Sequence, residues 1–342
     1  MKGRSMTTQN QLRAYKYFSG TILLIAGMLV WGLFTYSSEP EIKESQLTHR
    51  EMFQKEYNIF SLPVPQNPDF AGEPVPIERS YIRESLDREL LVNTYWQSQT
   101  LLFIKRSAKY FPIIEPILKK EGVPDDFKYL ALAESALIMR ASSPAGATGP
   151  WQFMRGAAID YGLEVNREVD ERYHLEKSTE AACRFLKSSY EKFGSWTLAA
   201  AAYNAGRSHV LSELDRQKTN NYYDLLLNEE TGRYVFRIIA IKEIIQEPEK
   251  YGFHVKEEDL YYMPETYTVE VDSSVSNFAD FAIYYGISYK ELKDLNPWLR
   301  DNKLTNSRGK PYHIKLPVDT SFSSNIKTKS DSLTAVSAAG DS

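Results

Sequence analysis

The chain has 342 residues, 42% of them hydrophobic and 25% charged, the composition of a folded protein with room for one good-sized core and smaller modules. A net charge of −4 gives no support for nucleic-acid binding. The single cysteine, Cys183, excludes an internal disulfide and reads as a small buried apolar residue.

Residues 1–17 carry Lys2, Arg4, Arg13 and Lys16 ahead of an uncharged run, Phe18 to Ser38. Its apolar part is roughly 19 residues long, close to a bilayer span. Positive charge before the run and Glu39 and Glu41 after it place the N-terminus in the cytoplasm and everything that follows outside it. The small-x-small site of a cleaved signal peptide is poorly matched by Thr35-Tyr36-Ser37, so 18–38 is expected to stay as an anchor. No cysteine follows the run to accept a lipid. Residues 39–79 read as an extended Pro-rich linker, with Pro63, Pro65, Pro68, Pro74 and Pro76, and not as core.

Helix periodicity begins at Ser80, with Ile82, Leu86, Leu90, Leu91, Tyr95, Trp96, Leu101, Leu102 and Ile104 in apolar register. Pro112 and Pro116 are expected in the first turn of a short helix that follows. Asp125-Asp126 start the next, apolar from Phe127 to Met139. Further helices are expected around 152–161, 179–193, 197–203 and 231–246, with Gly194 and Gly206 as end caps. No βαβ alternation occurs before residue 255, so residues 80–255 read as one mostly α domain. A polar stretch, 256–264, links it to residues 265–318. There ETYTVEV and PYHIKLP read as strands around two short helices. A chain ending near Met263 is expected to fold without that unit. Residues 319–342 are Ser/Thr-rich and read as a disordered tail.

Chemistry points to Glu134. Phe127, Leu130, Ala131 and Ile138 share a helical stripe with it, and burial raises a carboxyl pKa, as a general acid requires. A buried Glu can equally pair with an Arg or cap a neighbouring helix. The loop SPAGATGP, 143–150, has little side-chain bulk and would let a long ligand approach the backbone. Trp151, Gln152, Phe153 and Met154 would then add flat and polar contacts. The same loop could be a tight turn, Tyr203-Asn204 a helix terminus, and Tyr234 a structural residue. The five histidines are scattered, no His/Cys cluster has metal-ligand spacing, and no cofactor motif is present.

In order, Glu134-Ser135, GATGPWQFM, AAYNAG and EETGRYV resemble the catalytic domain of bacterial lytic transglycosylases, the soluble-lytic-transglycosylase-like branch of the lysozyme superfamily, and within it the membrane-bound murein transglycosylase D type. The likeness covers roughly 87–253. It departs at Pro150 and at Gly232, where relatives commonly carry other residues. The unit at 265–318 resembles a LysM domain, with Asp272-Ser273-Ser274 in place of the usual Gly-Asp-Thr. The resemblance implies a mostly α, lysozyme-like catalytic domain plus a small βααβ LysM-like module. It implies cleavage of the β-1,4 bond between N-acetylmuramic acid and N-acetylglucosamine in peptidoglycan, to 1,6-anhydromuramyl products, with no metal or cofactor. Glu134 would be the acid, and Ser135, Gly146, Gly149, Gln152, Met154, Tyr203, Asn204 and Tyr234 would bind the glycan. The protein would act in the periplasm, held to the inner membrane by its N-terminal helix. Two alternatives stay open. A lysozyme-like hydrolase would need a second acid, for which Asp160, Glu164 and Asp170 are available. A wall-binding scaffold would need none.

Overall fold

The computed structural model describes residues 59–318, with Met28 and Trp31. The expected cytoplasmic segment, the rest of the 18–38 span, the linker up to residue 58 and the 319–342 tail lie outside the described residues. Among the described residues no helix is long and apolar enough to cross a membrane.

From residue 59 on, the first elements are two short strands, β1 (Asp69–Phe70) and β2 (Glu73–Pro74), paired antiparallel through a turn with Ala71 and Gly72 at positive φ. This hairpin lies in the stretch read as spacer, and that reading fails for it. Phe70 is 0% exposed and Val75 5%, both in the main core. Glu73 reaches the start of a distant helix, accepting from the backbone N–H groups of Trp196 (2.5 Å) and Thr197 (3.0 Å). An anion at a helix N-terminus satisfies donors the helix itself leaves open.

The long apolar register becomes two helices, α1 (Ser80–Tyr95) and α2 (Gln97–Glu121), broken at Trp96. Pro112 and Pro116 sit inside α2 and not in a first turn. Both are exposed, so carbonyls lacking an N–H partner can meet water on that face. Gly122, at φ 69°, closes α2 in the left-handed conformation.

Helix α3 (Phe127–Ser135) stops four residues sooner than its apolar run, because Ala136 and Leu137 both turn left-handed. The Ser135 hydroxyl accepts from the Leu137 N–H at 3.1 Å and Arg106 donates to the Ala136 carbonyl at 3.1 Å, which holds this turn. Glu134 therefore lies in the last turn, and Ile138, expected on its stripe, is 45% exposed.

Then come α4 (Arg155–Asp160), α5 (Leu175–Phe193, capped by Gly194), α6 (Trp196–Ala205, ended by Gly206), α7 (Arg207–Gln217) and α8 (Glu229–Gln246). Helix α7 has no counterpart among the sequence-based expectations. Cys183 is buried on α5 as expected. Ala199 to Ala202 on α6 are 0% exposed, and their small size lets α5 and α8 pack close to that helix. Helix α8 also packs on α1 and α3.

The last unit is β3 (Thr266–Val271), α9 (Phe278–Tyr284), α10 (Tyr289–Leu295) and β4 (Tyr312–Pro317). Its strands pair antiparallel from Thr266↔Pro317 to Val271↔Tyr312. Ser288 and Glu291 form a reciprocal cap on α10. The chain is thus mostly helical with a small βααβ unit. That unit does more than hang from a linker: its core cluster takes in Val169 and Tyr173 from the segment before α5.

Candidate active site

Helices α1, α2, α3 and α8 and the loop after α3 enclose a cleft of about 550 Å3. Glu134 lines it beside Phe103, Ala133 and Ile241. Burial among these walls pushes the Glu134 carboxyl up to about 7. A hydrogen bond from the Tyr234 hydroxyl and the positive charge of Arg237 pull it back, and Glu230 adds to the rise. A carboxyl so placed holds its proton near neutral pH and can release it when a partner oxygen becomes basic.

Tyr234 reaches Glu134 because α8 packs on α3. Tyr203, at the end of α6, donates to the Trp151 carbonyl at 2.7 Å and packs edge-on against Trp151, Phe153 and Phe185. Burial and the Glu134 charge raise both phenols well above their usual range, so they stay hydroxyl donors. Asn204 accepts from the Thr231 hydroxyl at 3.0 Å, tying α6 to the first turn of α8.

The small-residue loop is tightly specified. The Ser135 hydroxyl lies 2.7 Å from the Pro150 carbonyl, pinning the loop to the end of α3. Gly149, at φ 79°, lies against segment 171–173: a β-carbon there would stand 1.9 Å from the Arg172 carbonyl oxygen. Arg172 in turn donates to the carbonyls of Gly146 and Phe153, each at 3.2 Å. Asp170 holds that guanidinium at 2.8 and 2.9 Å. Gln152, at φ 49°, lines the cleft, with its amide donating to the Gly149 carbonyl at 2.7 Å.

The expected residues thus separate. Glu134, Ser135 and Gln152 line the cleft, and Tyr234 touches the acid. Gly146 and Gly149 shape the loop. Met154 is exposed where α4 begins and is not among the residues lining the cleft. Trp151 and Phe153, expected as flat ligand contacts, are buried core residues, and the Trp151 indole donates to Thr179 at 2.8 Å. Of the reserve acids, Asp160 is exposed at the end of α4, Glu164 accepts from Tyr312 at 3.1 Å, and Asp170 pairs with Arg172. None of the three lines this cleft.

Sequence reading missed the opposite wall. Trp96, 60% exposed at the break between α1 and α2, offers a flat face to the cleft, with Gln99 and Asn93 beside it. Glu89, Arg233 and Arg237 complete that wall. The signal for Trp96 was present: a large aromatic between two helical registers. Glu89 looked like an ordinary surface position of an amphipathic helix.

A mostly helical fold thus carries a desolvated acid, Glu134, on an open cleft. Comparison with known families sharpens this. Residues 111–226 match the family described as the transglycosylase SLT domain, and residues 267–320 the soluble lytic transglycosylase C-terminal LysM-like domain. The chain is similar to membrane-bound lytic murein transglycosylase D of Escherichia coli strain K12, at 29% identity over 245 residues, 70% of this chain and 52% of that one. The protein of the same name from strain O6:H1 matches equally. The chain spans about half the length of the curated relatives it matches. Among solved structures, the 70 kDa soluble lytic transglycosylase SLT70 of Escherichia coli is similar at 18% identity and TM-score 0.38, covering 48% of this chain and 30% of that one. An inactive mutant of lytic transglycosylase Slt from Pseudomonas aeruginosa follows at 21% identity and TM-score 0.35, covering 44% and 26%.

Proposed function

We infer that this protein is a peptidoglycan lytic transglycosylase. The observation that carries the reading is Glu134: one carboxyl held protonated near neutral pH on a cleft, touched by a phenol. In the proposed reaction Glu134 gives its proton to the oxygen between N-acetylmuramic acid and N-acetylglucosamine. The muramic C1–O bond breaks and positive charge builds on that ring. The C6 hydroxyl oxygen of the same sugar bonds to C1, and its proton passes to Glu134. The products are a 1,6-anhydromuramyl end and a new C4 hydroxyl on the leaving sugar, and the enzyme regains its starting state. The attacking hydroxyl is tethered to the reacting ring, so a large effective concentration replaces a second carboxylate.

A hydrolase needs a base to activate water. Glu89 is the other carboxylate on the cleft wall, 1% exposed and bound to Arg233 at 2.6 Å. Its engagement with that guanidinium supports the non-hydrolytic outcome. The homologous proteins' names support the substrate. We assign the protein to the cell envelope, with 18–38 anchoring it in the inner membrane and peptidoglycan strands as its partner.

Product analysis on purified peptidoglycan tests the reaction. Released fragments should weigh one water less than hydrolytic counterparts and resist borohydride reduction. Reducible muramic ends would instead establish the hydrolase.

A further inference from the structure

One wall of the cleft enters the reaction above only through the charge of Arg237 near Glu134. Arg233 and Arg237 stand one turn apart on α8, facing Glu89 of α1. Glu89 is buried, with one oxygen held by Arg233 at 2.6 Å. Its other oxygen has no hydrogen-bond partner, and the Arg237 guanidinium stands 3.9 Å from it, beyond hydrogen-bond reach. Among the described residues Arg237 donates no hydrogen bond, and its side chain is 32% exposed. Two guanidiniums therefore share one buried carboxylate. Glu229 pairs with Arg88 and Arg233, on the outer side. The Arg237 charge also reaches Glu134, whose carboxyl is held up at about 7, and its planar fork of donors stays free on the cleft wall. That fork matches a carboxylate, which it can grip through two parallel bonds.

Arg237 is also three residues from Tyr234, which touches the acid, a rise of about 4.5 Å along the helix. A carboxylate it holds must therefore sit within about one sugar ring of the scissile bond. On the transglycosylase reading, which this inference rests on, the sugar at that bond is muramic acid. Its C3 lactyl arm ends in a carboxyl group. Where a stem peptide is attached, that group is a neutral amide. In peptide-free strands it is a free anion. We propose that Arg237 is a specificity residue that binds the free lactyl carboxylate, so that the cleft selects peptide-free glycan. Glu89 and Arg233 are its positioning partners, fixing the wall from which it reaches.

The test is calorimetric binding of two defined tetrasaccharides of alternating N-acetylglucosamine and muramic acid to the full chain carrying Glu134→Gln, which stops turnover. One ligand has free lactyl carboxylates, the other their N-methylamides. The acid should bind about tenfold tighter or more, the usual difference for a charged hydrogen bond. Added salt should shrink the gap. Adding Arg237→Gln should close it, and Arg237→Lys should keep part of it. Equal binding of acid and amide to the unaltered cleft wall overturns the proposal and needs no further variant to fold. An acid preference that survives Arg237→Gln assigns it to another cation and overturns it too. Anhydro products without an acid preference sink this inference alone, whereas reducible products sink the reading beneath it.

Discussion

Tyr234 on α8 donates its hydroxyl to a carboxylate oxygen of Glu134 on α3, a hundred residues earlier in the chain. The bond joins the two helices that make the site and stabilises the anion that burial disfavours. Burial wins, leaving the carboxyl at about 7. Cleavage that begins with proton donation should therefore fall as pH rises through about 7. Tyr234→Phe removes the donor, so the acid should hold its proton to higher pH and the alkaline limb should move up. The check is kcat/KM against pH for both proteins. A limb at or below the wild-type position would show that the phenol does not act on Glu134.

The same burial links folding to pH. The folded pKa of Glu134 lies above the unfolded value of about 4.5, so the folded state keeps a proton that the unfolded chain releases. The stability this confers is full below pH 4.5 and is lost as pH rises through 7. The difference of roughly 2.5 units amounts to about 3 kcal/mol. Glu134→Gln cannot ionise. It should match wild type in urea denaturation at pH 4 and exceed it by about 3 kcal/mol at pH 8. Its cleavage should fall by about 10²–10⁴-fold. Equal stabilities at pH 8 would show that the carboxyl is solvated.

The helices were legible because 3.6-residue periodicity and terminal glycines act locally: Ile82, Leu86 and Leu90, or Gly194 and Gly206, carry their meaning in sequence. The acid was legible for the same reason, as the charged residue of an apolar segment. What periodicity could not show depends on residues far apart. Periodicity does not mark Leu137 for the left-handed turn that ends α3, which the Ser135 hydroxyl holds from two residues back and Arg106 from thirty residues before Ala136. Glu89 and Arg233 meet across 144 residues. Trp151 and Trp96 exchange their expected roles because burial is a tertiary property: the first packs beneath the loop, the second stands at a helix break.

The hairpin at 69–74 gives a stability test. Phe70 packs edge-on to Phe127, at a centroid distance of 5.2 Å, and is fully buried. Phe70→Ala should cost about 3–5 kcal/mol, the range for a core aromatic. Glu73→Ala should cost about 1–3 kcal/mol, because the Trp196 and Thr197 N–H groups lose their acceptor. Chemical denaturation reads both. A Phe70→Ala midpoint within error of wild type would restore the spacer reading of this stretch.

Two glycines of the loop should respond differently. Alanine at Gly149 meets the Arg172 carbonyl and a φ of 79°, so the loop must move. Gly149→Ala should cost about 2–4 kcal/mol and weaken cleavage, since the same loop carries Gln152 into the cleft. Gly146, at φ 87°, has open space where a β-carbon would stand, so Gly146→Ala should cost about 1 kcal/mol of backbone strain alone. Equal costs would mean that contact with segment 171–173 is not what fixes the loop.

Segment 164–176 faces two ways. Toward the cleft, Arg172 holds the carbonyls of Gly146 and Phe153. Toward the βααβ unit, the Asp170 N–H donates to the Trp298 carbonyl at 2.9 Å and the Arg300 N–H to the Glu168 carbonyl at 2.8 Å. Glu168 accepts from the Thr305 N–H at 2.6 Å, Lys315 pairs with Glu176, and the Trp298 ring stacks on His174. Val169 and Tyr173 are buried in that unit's core cluster. A chain ending at Met263 would expose both and strip these partners away. It should still fold, because the main cluster from Phe70 to Phe253 is intact, but its thermal midpoint should drop by at least about 5 °C. Cleavage should weaken even on soluble glycan, because the segment that clamps the loop loses its backing. Calorimetric melting and turnover on a soluble oligosaccharide decide the matter. An unchanged midpoint with unchanged turnover would mean that the unit rests on the catalytic domain without supporting it.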